Sequence, residues 1–182
     1  MSVNFTNTKM KKIFFLLIIW AFTTKADAQP PTPGSYYINN TMVPFHGTWM
    51  WVSGTDTVKI FLATKKVYKD IIAGGYYTDL LVGWHIYKRG NATVETSYAN
   101  INIVNGSTLM GSNSNDAPDV VIAYITDISK NKEGEVKLTL NAAQNEIIWR
   151  SSEHQGMRIY SRPQDVPPAG LTLPRNMVLV KQ

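Results

Sequence analysis

The chain of 182 residues offers few groups able to do chemistry, and their spacing narrows the field further. His46, His85 and His154 are its only histidines, and it contains no cysteine. Thiol chemistry is excluded, and a zinc site would need imidazoles and carboxylates at short ligand spacings, which these histidines lack. No metal or cofactor is expected. Asp79 and Glu95 are the one pair of carboxylates that a hairpin could bring together for acid–base work. Asp79, however, shares a strand face with Tyr77 and His85, opposite an apolar stripe, so it is expected in solvent. Asn113-Ser114-Asn115-Asp116-Ala117-Pro118-Asp119 is rich in oxygen ligands but lacks the bidentate glutamate and central glycine of a calcium loop. No nucleophile elbow, phosphate loop, dinucleotide fingerprint or metalloprotease helix occurs. Trp84, on the apolar stripe, is the residue whose pattern places it against a ligand. No catalytic residue is expected.

The elements that must position these residues read as strands. Val58, Ile60 and Leu62 alternate with polar neighbours, as do Val136, Leu138 and Leu140. From Tyr76 onward, Thr78, Leu80, Val82, Trp84 and Ile86 share the face expected to point inward, with Tyr77, Asp79, His85 and Tyr87 opposite. Arg89-Gly90-Asn91 closes a hairpin. Further short strands fall at 48–52, 120–126, 147–150 and 177–181, with 157–160 as an extension or a separate strand. Asn105–Pro118 lacks any hydrophobic period and reads as a long polar loop. No persuasive helix intervenes, so the class is all-β. A last strand that ends the chain can pair with the first and close a barrel, although a sandwich meets the same pattern.

The N-terminus reads as an export signal. Lys9, Lys11 and Lys12 precede an apolar run too short to span a bilayer, and Ala26-Asp27-Ala28 supplies a small-x-small cleavage site. Residues 1–28 are the expected signal peptide, with Met10 an alternative start. An extended leader covers 29–43, and a barrel domain covers 44–182. Removing Lys9, Lys11, Lys12, Lys25 and Asp27 from 18 basic and 13 acidic residues leaves 14 against 12. Such a near-neutral domain carries no electrostatic footprint for nucleic acid. Location is expected to be secreted or periplasmic, without a stable membrane anchor.

Phe45-x-Gly47-Thr48-Trp49 resembles the opening strand of lipocalins and intracellular lipid-binding proteins, where the tryptophan plugs the closed end. That motif is joined in order by Tyr76-Tyr77-Thr78-Asp79, Ile148-Trp149-Arg150, and Leu173-Pro174 running through Val180-Lys181-Gln182. Together they resemble a domain-of-unknown-function family of small bacterial secreted proteins. The resemblance implies a small antiparallel lipocalin-like β-barrel of about eight strands, and no activity. Arg158-Ile159-Tyr160 is similar to the Arg-x-Tyr that holds a fatty-acid carboxylate in intracellular lipid-binding proteins, although here it stands well before the last strand. The expected function is a non-enzymatic binding or interaction module, its partner a small apolar molecule, a glycan or another exported protein. The alternative is a carrier with a ligand in the barrel cavity, and an enzyme with a barrel-mouth site is a third reading. Large inward residues tilt the choice toward a packed interior.

Overall fold

A computed structural model describes residues 32–70, 74–114, 116–153 and 168–182. Ten strands follow in chain order: β1 (Tyr36–Tyr37), β2 (Gly47–Ser53), β3 (Asp56–Lys69), β4 (Tyr76–Arg89) and β5 (Ala92–Thr96), then β6 (Leu109–Ser114), β7 (Ala117–Asp127), β8 (Lys132–Leu140), β9 (Glu146–Glu153) and β10 (Asn176–Lys181). Eight of them close a ring in the order β4-β3-β2-β10-β9-β8-β7-β6, with β6 returning to β4, and every pair in the ring is antiparallel. The expected all-β barrel of about eight strands is therefore the fold. Closure removes the unpaired edges that an open sheet would expose. With β3 along one edge, the other edge of β4 is long enough to serve three partners: β1 runs parallel to its start, β6 pairs its middle, and β5 pairs its end.

Alternation fixes which side chains enter the barrel. Val58, Ile60 and Leu62 of β3 are buried in the core and stand opposite Tyr87, His85 and Gly83 of β4. Directly opposed residues of an antiparallel pair share a face. The inner face of β4 therefore carries Tyr77, Asp79, Leu81, Gly83, His85 and Tyr87. This overturns the expected phase, in which Leu80, Val82, Trp84 and Ile86 pointed inward. Those residues lie on the outer wall. Leu80, Val82 and Trp84 are nonetheless buried there, because the outside of β4 is roofed. Trp84 stands opposite Phe61, whose ring packs against Tyr98 at 4.7 Å. Tyr98 belongs to the excursion from Ser97 to Thr108, which leaves the edge of β4 after β5 and returns as β6. An apolar stripe marks a buried face, and β4 has two of them. Met50 is likewise outward, opposite Lys59 and Val180.

The expected polar loop Asn105–Pro118 is another correction. Leu109–Ser114 is β6, the strand that closes the ring. Its signature is hidden by Gly111, where a Cβ would come within 2.3 Å of the Ile122 carbonyl oxygen and 2.5 Å of Ala123 Cα. Only glycine allows the two backbones to approach so closely.

Both ends of the barrel are filled. Residues 40–45 form a 3-10 turn that sends Met42 and Phe45 into one end, and the Trp49 indole donates to the Phe45 carbonyl at 2.8 Å. At the other end Leu173 is buried, with Leu171 packed against the core. Asp127 anchors that end by accepting from the Thr172 hydroxyl at 3.0 Å and the Lys130 amide at 2.8 Å. Between them Trp49, Trp149, Leu138, Val121, Val136, Ile147 and Leu179 are wholly buried in one contiguous cluster. An eight-stranded barrel is just wide enough to be filled by such side chains.

Candidate functional site

The densest chemistry lies inside the wall, where β4 and β5 meet. Arg89↔Ala92 and Lys88↔Thr93 set a register that would place Glu95 opposite outward Ile86. A bulge at that point instead sets Glu95 opposite Tyr87, which turns the carboxylate to the inner face. There Glu95 Oε1 lies 2.9 Å from His85 Nε2, and Oε2 accepts from the Ser129 amide at 3.0 Å. On the far side of the ring, His85 Nδ1 lies 2.9 Å from the Thr108 hydroxyl oxygen. Ser97 Oγ lies 3.1 Å from Thr108 Oγ1 and accepts from the His85 amide at 2.9 Å. Burial alone would push the Glu95 carboxyl up. Hydrogen bonds from His85 and Ser129, with the His85 charge, outweigh it and hold the group down to about 2.

Hydroxyl, imidazole and carboxylate in series are the groups of a nucleophile relay. Here His85, Glu95, Ser97 and Thr108 are all buried. The space beside Glu95, bounded by Ile125, Asp127, Leu171 and Leu173, is too small for a water molecule. The relay therefore clamps β4, β5 and the start of β6 together. Glu95 does not meet Asp79, its expected partner. Asp79 lies on the same inner face but near the start of β4, buried rather than solvated, accepting from the Tyr36 hydroxyl at 2.6 Å and the Asn39 amide at 2.9 Å.

Asp79 anchors a surface of different character. Beyond the ring, β1, β3 and β4 continue as a three-stranded ribbon, and register puts Tyr36, Tyr77 and Tyr68 side by side across it. The three residues are 43%, 36% and 49% exposed. The Lys66 ammonium sits 4.4 Å from the Tyr36 ring centroid and 4.3 Å from that of Tyr77. Tyr68 and Tyr77 pack at 5.3 Å, so the rings brace one another. The hydrogen bond to Asp79 raises the Tyr36 phenol, with burial and the carboxylate charge acting in the same direction. On the reverse side Tyr37 and Tyr76 make an edge-to-face pair at 6.1 Å.

Of the residues expected to bind ligand, Trp84 sits on the outer wall as described, and Arg158 and Tyr160 lie outside the described residues, as does His154. His46 bonds Thr64, and its imidazole is lowered by burial and by the Lys181 charge, with Asp79 opposing. Among the described residues no group of three His, Asp or Glu is placed to hold a metal ion. Asn113 of the expected oxygen-rich loop instead ties β6 to the plug, donating to Thr41 Oγ1 at 2.7 Å and to the Pro118 carbonyl at 3.0 Å. The tyrosine face escaped the sequence reading, although Tyr36-Tyr37, Tyr68 and Tyr76-Tyr77 flanking one hairpin were a visible signal.

No curated protein and no solved structure matches the chain. A family model of unknown function matches residues 10–182, nearly the whole sequence, and the chain belongs to that family, DUF6705.

Proposed function

We propose that this chain is an exported, non-enzymatic binding module that grips another exported protein through the tyrosine face of its β1–β3–β4 ribbon. The observation that carries this reading is the braced, exposed trio Tyr36, Tyr68 and Tyr77 around Lys66. Tyrosine offers large amphipathic contact area with little rotamer freedom to lose, which is why it anchors protein interfaces. The filled interior supports the same reading, because it directs binding to the outside of the barrel. Burial of the hydroxyl–imidazole–carboxylate series supports a structural rather than catalytic role for it. Export rests on the lysine-flanked apolar run and the Ala26-Asp27-Ala28 site.

Photo-crosslinking in the native cells tests the proposal. A benzophenone side chain at Tyr68 should give one discrete protein adduct, and the same group at Thr139 on the β8 wall should not. Loss of that adduct on Tyr77→Ser would tie it to this face. Equal labelling from both positions, or no protein adduct from Tyr68, contradicts the reading.

A further inference from the structure

The ring has one weak seam. β2 and β10 share only Val180↔Met50 and Lys181↔Trp49, extended by a Gln182 amide bond to the Thr48 carbonyl at 2.9 Å. Beyond Met50 the two strands part, and a cleft of about 410 Å³ opens in the wall. Trp51, Ile148, Trp149, Arg150, Met177 and Val178 line it. Trp51 belongs to the inner face by register with Val58 but is only partly buried, so the seam exposes a flat aromatic side chain that the barrel does not fully cover.

One further observation points to a ligand. At the rim, Arg150 stands directly opposite Lys137 on the neighbouring strand, and neither has a carboxylate within ion-pair distance among the described residues. Like charges placed opposite each other repel, and an anion between them removes the repulsion.

From this geometry we propose that the β2–β10 seam is a binding cleft for a small amphipathic carboxylate. Its apolar tail lies against Trp51, Ile148 and Val178, and its anionic head meets Arg150 and Lys137. The volume suits a small ligand, and its lining is mostly apolar with a few polar groups, as small-molecule sites usually are. This inference does not depend on the tyrosine face, which lies on other strands.

Sodium decanoate is a suitable probe, read from the tryptophan indole N–H resonances of the ¹⁵N-labelled protein. Saturable shifts are expected at Trp51 and Trp149, with Trp84 unmoved as an internal control on the outer wall of β4. Arg150→Gln with Lys137→Gln should weaken decanoate binding at least ~10-fold, as the loss of a charge-assisted contact implies. The uncharged analogue decanol should bind wild type and variant alike. Both side chains are exposed, so the variant should fold, and its unmoved Trp84 resonance checks that. The proposal is overturned by the absence of a saturable shift at Trp51 and Trp149, by shifts that appear equally at Trp84, or by equal decanoate affinity in the variant.

Discussion

Replacing Glu95 with glutamine removes one charge from the inner wall while keeping side-chain volume. The carboxylate accepts from His85 Nε2 at 2.9 Å and from the Ser129 amide at 3.0 Å. A carboxamide has a single acceptor oxygen, so one of those donors must face the new NH₂ group. The loss of a charge-assisted bond together with a stranded buried donor gives an expected cost of about 2–4 kcal/mol at pH 7. The pH dependence has a definite sign. Glu95 is lowered from 4.5 to about 2 in the folded chain, so its contribution is fully present above its unfolded value. It is lost as pH falls from about 4.5 toward 2. Urea unfolding of wild type and Glu95→Gln between pH 7 and pH 2.5 should show a gap that is constant above pH 5 and narrows below it. A cost under ~1 kcal/mol at pH 7, or a gap that does not narrow in acid, would refute the placement of Glu95 inside the wall.

Other expectations follow from single contacts. Trp84→Ala should cost ~3–5 kcal/mol in chemical denaturation even though the residue lies outside the barrel, because Phe61 and the Tyr98 excursion enclose it. Gly111→Ala should cost ~2 kcal/mol or more by the same assay, since the added methyl meets backbone atoms that cannot move aside. N-terminal sequencing of protein recovered outside the cytoplasm should begin at Gln29, and an intact N-terminus in the membrane fraction would contradict export by a cleaved signal.

Strands with one wet face were legible in the sequence. β8 alternates cleanly, β3 does so through its core half, and their inward residues are the ones observed. Trp49 plugs an end of the barrel, as the resemblance implied, held by its bond to the Phe45 carbonyl. β4 misled because period two shows that a face is buried without showing what buries it. Its inner face carries Asp79 and His85, which look solvated until their partners are known. The Glu95 partner of His85 depends on the bulge opposite Tyr87, a backbone shift that leaves no compositional trace, and the partners of Asp79 come from Tyr36 and Asn39, far away in sequence. β6 was missed because Gly111 and Asn113 are loop-forming types that here serve close strand contact and a tie to the plug. The cleft is still less legible, since it arises from the length of one seam.

The claim that the barrel is a filled scaffold, with binding left to its outside, is tested most directly by enlarging a small inward residue. Ala123 is wholly buried on the inner face of β7, opposite Val136 and Gly111. In a filled interior Ala123→Leu has nowhere to place its added carbons, and urea denaturation should show a loss of about 1–3 kcal/mol. A variant as stable as wild type, or more stable, would mean that the barrel holds open space, and the account would be contradicted in favour of a carrier.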